Sequence, residues 1–197
     1  MEKYVITISR QFASMGRSIA QKLSEELDIE FYDRDIVEVT AKRMGLPISY
    51  ISEKEEHDAP KFFRRMYPLG MGIANVQDEI FSVQTNIIED FIDKGSCIIV
   101  GRSAAGAIKD PKQVLNIYIY APYEARLKNC TELLQMKEKN AKRMIKEVDK
   151  AREQYRQRYC KHPLTPYDGY DLMIDSSKFG VDGTAELIKG IVTERFA

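Results

Sequence analysis

The feature that most constrains this chain is its opening strand, loop and helix. An apolar, β-branched run, Tyr4-Val5-Ile6-Thr7-Ile8, passes into Ser9-Arg10-Gln11-Phe12-Ala13-Ser14-Met15-Gly16-Arg17-Ser18, after which Ile19, Leu23 and Leu27 recur every four residues. The run has the length of a buried strand, and the later spacing is one face of a helix. The turn between them aims backbone N–H groups and the positive end of a helix at one point, which suits phosphate. Against the phosphate-loop pattern G-x-x-x-x-G-K-[ST], residues 11–18 fit only at Gly16 and Ser18, with Gln11 in place of the first glycine and Arg17 in place of the lysine. Arginine keeps the charge and adds a planar fork that can hold phosphate bidentately. The strict motif fails, and Gly-Arg-Ser opening a helix also suits plain turn chemistry.

A chain of 197 residues suffices for one α/β domain with a substantial core, or for that core with a small inserted subdomain. Its 30 basic and 30 acidic residues cancel, so no global field recruits nucleic acid or an anionic membrane, and any anion site is local. No apolar run approaches the roughly 18–20 residues of a membrane span, and a strand beginning at Tyr4 leaves no room for a signal peptide; a cytoplasmic protein is expected. Cys97, Cys130 and Cys160 are too widely spaced for a zinc or redox pair and read as free thiols, Cys97 in a core strand.

Further along, Ile29 to Asp35 suits a short second strand ending in charges, and Ile36 to Met44 a helix stopped at Gly45 and Pro47. Asp33 and Arg34 then stand where ligands bind in open α/β sheets, although a solvated turn explains them equally. Residues 48–77 are the least regular part, with His57 among charges and Phe62 to Tyr67 enclosing Arg64 and Arg65. Such a stretch suits a binding subdomain or lid, while His57 reads as a surface histidine and the two arginines as solvated or ion-paired. Asp78 to Asp93 has helical spacing with Gln84 on or beside its apolar face, and the buried strand Cys97-Ile98-Ile99-Val100 runs into Gly101-Arg102-Ser103. Were this strand parallel to the first, Arg102 would emerge at the same rim as Gly16 and Arg17.

Val114 to Tyr120 is the clearest strand, Pro122 opens a helix carrying Arg126, and Lys137 to about Tyr159 is a long charged helix with a thin apolar stripe. Most of its charges suit solvent; a few could close over an anion. A loop from Lys161 with His162, a last strand Tyr170 to Asp175 and a closing helix Val181 to Phe196 complete the chain. Strands alternating with helices predict a parallel sheet covered on both faces.

Together, Ile6 to Phe12, Gly16-Arg17, Phe31-Tyr32-Asp33, Val100-Gly101-Arg102 and Tyr170-Asp171-Leu172 before Asp175-Ser176-Ser177 resemble the cytidylate kinase-like proteins of bacteria, a divergent branch of the P-loop nucleoside monophosphate kinases. The resemblance covers nearly the whole chain. It implies a three-layer P-loop kinase fold, a parallel sheet of about five strands flanked by helices with a helical lid. Residues 1–197 would form one such domain, with an acceptor-side helical segment near 45–80 and a lid-like region near 137–162. It further implies ATP with Mg²⁺ as cofactors, and small-molecule nucleotide substrates as partners, without nucleic acid or membrane; the oligomeric state stays open. Ser14, Gly16, Arg17 and Ser18 would lie at the ATP phosphates, Ser18 also at the metal. Asp33, Arg34, Gln84, Arg102 and Asp171 would bind the acceptor nucleotide, and Arg17, Arg102, Arg152 and Arg156 would carry the catalytic charge.

The chain departs from the family at telling places. Ordinary cytidylate kinases have Gly-Lys in the loop and flank the later Gly-Arg with acidic residues, whereas here stand Gly16-Arg17, Val100 and Ser103. The divergent branch carries a loop like Phe-Gly-Ser-Gly-Gly-Arg, in which Ala13 and Met15 replace two glycines. A positive φ at either position would cost on the order of 1–3 kcal/mol. Two functions are therefore expected: ATP-dependent phosphoryl transfer to a nucleoside monophosphate, a pyrimidine one such as CMP, or a degenerate P-loop protein that binds a nucleotide or a partner without turnover.

Overall fold

A computed structural model describes residues 3–49, 51, 73–101, 103–108, 113–160 and 169–196. Five strands, β1 (Val5–Arg10), β2 (Glu30–Tyr32), β3 (Cys97–Val100), β4 (Val114–Tyr120) and β5 (Leu172–Asp175), form one sheet in the order β2-β3-β1-β4-β5, every pair parallel. Ile8 pairs with Val100 on one side and Ile117 on the other, so β1 is the central strand. The chain leaves β1, β3 and β4 at the same rim, as the parallel arrangement expected from the sequence requires.

Strand alternation divides the core in two. Ile6, Ile8, Ile98, Val100, Ile117 and Ile119 face α1 (Gly16–Leu27) and α7 (Ser176–Phe196), meeting Ile19, Leu23, Ile188 and Val192. On the opposite face Val5, Cys97 and Ile99 meet α2 (Arg34–Met44) and α3 (Ile73–Lys94) through Ile36, Ile87, Ile88 and Phe91. The result is the three-layer parallel fold expected from the sequence. The thiols are free, and burial pushes that of Cys97 up to about 12.

Several boundaries differ from the sequence reading. The last helix begins at Ser176 and breaks at Gly180 (φ 67°, ψ −170°), so the expected segment from Val181 is its second part. β5 starts at Leu172, two residues later than expected, and α2 starts at Arg34, two residues earlier. Residues 73–77, read as irregular, are the first turn of α3. The helix at Pro122 is short: α5 (Tyr123–Lys128), which follows the four-residue α4 (Ala104–Ala107), passes into a π-helical turn at Asn129–Leu133. His57, Phe62 to Tyr67, Arg102 and His162 lie outside the described residues. No helix among the described residues is long and apolar enough to cross a membrane.

Helix α6 (Glu138–Tyr159) bridges the loop after β1 and α3. Phe81 stacks on Tyr159 at 4.2 Å and meets Tyr155 edge-on at 6.4 Å. Asp78 accepts from the Tyr159 hydroxyl and from Arg158, each at 3.0 Å. Buried Gln84 accepts from the Tyr155 hydroxyl at 3.0 Å. Aromatic contacts of this kind add about 0.5–1.5 kcal/mol beyond area burial. Phe81→Ala is expected to raise amide exchange in the C-terminal half of α6 by about tenfold while leaving β1 and β4 protected, as read by native-state hydrogen exchange.

Candidate functional site

The rim is built around the end of β1. Gln11 straps the loop to β4: its N–H donates to the Ile119 carbonyl at 3.0 Å, and its side-chain oxygen accepts the Ala121 N–H at 3.1 Å. Ser14 is fully buried, its hydroxyl sharing a proton between the carbonyls of Gln11 (3.0 Å) and Ile119 (3.1 Å). From below, the Ser176 hydroxyl lies 2.7 Å from the Ser14 carbonyl and 3.1 Å from that of Tyr120. The loop thus consumes its own side-chain polar groups in holding its shape. The Ser14 hydroxyl points into the loop, leaving the helix end to present backbone N–H groups.

Ala13 (φ 59°) and Met15 (φ 62°) are both left-handed, the two positions where the resemblance implies glycine. Met15 precedes α1 without any side-chain cap, so the first-turn amides of Gly16, Arg17 and Ser18 have no intrahelical acceptor. Gly16 is required by packing: a Cβ there would stand 2.7 Å from Arg10 Cβ and 3.6 Å from Ile119 Cβ. Position 101 favours glycine through its left-handed backbone (φ 79°); a Cβ on Gly101 would also fall 2.0 Å from Arg10 Nη1, the movable end of that side chain. The stem of Arg10 therefore lies over one glycine and its guanidinium under the other.

Buried Asp33 joins the two arginines of the rim. One oxygen lies 3.4 Å from Arg10 Nη2 and the other 3.3 Å from Arg17 Nε. Although it precedes α2, Asp33 makes no side-chain cap there, because its carboxylate faces the loop. Arg17 is half-exposed, with a side-chain exposure of 56%, so this contact is exchangeable with solvent or an anion. Arg34 opens α2.

From α6, Arg152 Nη1 donates to the Arg10 carbonyl at 3.1 Å, while Arg156 makes a two-point contact with Glu153 at 3.0 and 2.8 Å and holds that carboxyl below its usual range. Asp149 accepts the Phe12 N–H at 2.7 Å and pairs with buried Arg126, which also donates to the Phe12 carbonyl at 3.4 Å. Among the described residues, four guanidiniums, of Arg10, Arg17, Arg126 and Arg152, thus meet at the loop with two carboxylates, Asp33 and Asp149, while Arg156 is paired with Glu153 one turn further along α6. The balance favours an anion.

Of the residues expected from sequence, Gly16, Arg17, Ser18, Asp33 and Arg152 gather at this rim, and Gln84 faces α6 on the α3 side. Asp171 does not join them. Its carboxylate accepts the Asn116 N–H at 2.8 Å and pairs with Arg195 at 3.7 Å. That is three residues back along β4 from Ile119, roughly 10 Å from the loop. Arg10, Arg126, Asn129 and Asp149 also meet at the loop, although no motif marks them as site residues. Arg10 alone carried a legible signal, as a charge at the end of the first strand.

A loop at the C-terminal end of the central parallel strand, opening a helix with free amides, in a three-layer fold with the sheet order β2-β3-β1-β4-β5, matches the P-loop kinase class of fold. The chain belongs to the cytidylate kinase-like family, whose model matches residues 5–178. Among solved structures it is similar to an uncharacterized protein from Eubacterium ventriosum, with 24% identity, a TM-score of 0.72 and coverage of 97% of this chain and 99% of that one. It also resembles a shikimate kinase from Acinetobacter baumannii in complex with shikimate, at 14% identity, TM-score 0.54 and coverage of 98% and 94%. A shikimate kinase from Bacteroides thetaiotaomicron is similar at 8% identity, TM-score 0.54 and coverage of 98% and 99%. At these identities the likeness concerns the fold. No curated protein matches the chain.

Because Arg10 Cβ is fixed by its strand, Gly16→Ala cannot be absorbed by a flexible side-chain end. It is expected to cost about 1–3 kcal/mol, lowering the thermal midpoint by about 2–12 °C in a calorimetric scan.

Proposed function

We propose that the protein is an ATP- and Mg²⁺-dependent kinase that transfers a phosphoryl group to a nucleoside monophosphate, a pyrimidine one such as CMP. The observation that carries this reading is the uncapped N-terminus of α1, whose three free amides adjoin the Arg10–Asp33–Arg17 network. Such a terminus fits polyphosphate, because its dipole and N–H groups favour negative charge. When bound, ATP supplies the phosphoryl group and Mg²⁺ neutralises charge on it.

The chain's part is positioning and charge compensation, which is most of what phosphoryl transfer requires. The amides of Gly16, Arg17 and Ser18 line the phosphate side, Ser14 shapes the loop from within through its N–H and hydroxyl bonds to the Gln11 carbonyl, and the Ser18 hydroxyl, on the first turn of α1, is the group offered to the metal. Arg17 turns from Asp33 to phosphate, while Asp33 keeps Arg10 in place beneath Gly101. Arg34, Gln84 and Arg102 are assigned to the acceptor, and Arg152 and Arg156 on the lid-like helix α6 to the phosphoryl group in transfer. Asp171 has no part in this reading, since Asn116 and Arg195 hold it away from the loop. The whole chain is taken as one domain acting in the cytoplasm.

A second reading, a nucleotide- or partner-binding module without turnover, is favoured by the positive φ of Ala13 and Met15 and by Val100 and Ser103 beside Gly101-Arg102. A coupled assay over nucleoside monophosphates separates the two: acceptor-dependent ADP release supports the kinase, and ATP binding without release supports the module. By calorimetry, Arg17→Ala is expected to weaken Mg²⁺-ATP binding about 10- to 100-fold, the worth of a charge-assisted hydrogen bond. Arg102→Ala is expected to reduce turnover about 10²- to 10³-fold with little change in ATP affinity. Absence of ATP, GTP and CMP binding at millimolar concentration would overturn the kinase reading.

A further inference from the structure

The left-handed conformation of Ala13 is held from within the loop by the turn in which the Ser14 N–H donates to the Gln11 carbonyl at 3.4 Å, and from outside it by side chains of distant elements. Rotation about φ and ψ of this residue turns the two peptide planes that flank its Cα, so fixing both planes fixes its conformation. The first plane carries the Phe12 carbonyl, which accepts from Arg126 at 3.4 Å. The second carries the Ala13 carbonyl, which accepts from the Asn129 side-chain amide at 2.9 Å. One step earlier, Asp149 receives the Phe12 N–H at 2.7 Å and anchors Arg126 through its other oxygen. These partners come from α5, the π-helical turn and α6, more than a hundred residues from the loop. Strained backbone of this kind persists only where its surroundings over-determine it.

We propose that Arg126, Asn129 and Asp149 are positioning residues that keep the loop in its phosphate-binding shape without the glycine that would adopt this shape unaided. Their importance follows from the alanine: with a glycine in its place a positive φ carries no side-chain penalty, and the loop depends less on outside bonds. The inference rests on the reading of this loop as a phosphate site. It adds that the residue at position 13 and the clamp are energetically coupled, although Asn129 meets only the backbone carbonyl there.

The test is a cycle of four proteins: the parent chain, Ala13→Gly, Asn129→Ala and the double variant, each assayed for Mg²⁺-ATP affinity by calorimetry and for thermal midpoint. With alanine at position 13, Asn129→Ala is expected to weaken ATP binding about fivefold, and with glycine there by less than about twofold. The thermal loss from Asn129→Ala is expected to be about 2–4 °C larger with alanine than with glycine. A purely structural asparagine would give equal losses in both backgrounds, and that result overturns the proposal. If the parent binds no nucleotide, the kinase reading fails by itself and the thermal comparison decides the coupling. Asp149→Asn, which keeps an acceptor for the Phe12 N–H but loses the charge facing Arg126, is run in the same cycle and should show coupling of the same sign.

Discussion

The rim of this protein depends on one side chain, that of Arg10. As the last residue of the central strand, it projects into space that two glycines leave open, its stem against Gly16 and its guanidinium against Gly101. From there it reaches the buried carboxylate of Asp33, and its own carbonyl receives Arg152 from α6. A charged group this enclosed needs a partner, and Asp33 supplies one while remaining in contact with Arg17. Sheet, phosphate-type loop, α2 and α6 are thereby registered on a single strand end. Gly16 and Gly101, separate motifs in the sequence, meet the same side chain, the first at its fixed Cβ and the second at its guanidinium.

The loop itself combines a rigid frame with local strain. Ser14 and Ser176 donate to its inner carbonyls and Gln11 ties it to β4 and Ala121, whereas Arg126, Asn129 and Asp149 satisfy its outer face. A glycine-rich loop can reach such a conformation by its own permissiveness; this one is supported by neighbours. The departure from the glycine pattern is thus a change in where the conformational constraint resides, since the backbone conformation that glycine favours is retained at both positions.

Much of the fold was legible because it follows from period and run length. The buried strands and the helical spacing of Ile19, Leu23 and Leu27 are local signals, and alternation of strands with helices gave the parallel sheet. Gly16 and Gly101 were legible as motifs, although the reason for each emerged only with Arg10 between them. Arg126, Asn129 and Asp149 were not legible as partners of the loop. Their spacing shows only helix, and a carboxylate on a charged helix has the same pattern whether it faces solvent or an amide 137 residues away. Asp171 shows the converse: its motif was clear, but register placed it beside Asn116, three residues short of the loop. The start of α3 was missed because its first turn adjoins glycines that read as irregular chain.

The position of β1 at the centre of a parallel sheet also governs how the protein can come into being. Thr7 bonds to Asn116, 109 residues later, and the Ser14 carbonyl to Ser176, 162 residues later. β1 is made before the other strands of its sheet and waits for β4 to complete its pairing, and the loop lacks its lower support until Ser176 is synthesised. Contacts of such long separation are slow to form, because chain closure precedes any gain from pairing. Completion of the rim thus waits on β5 and the start of α7, and nascent chains ending before Ser176 cannot assemble it.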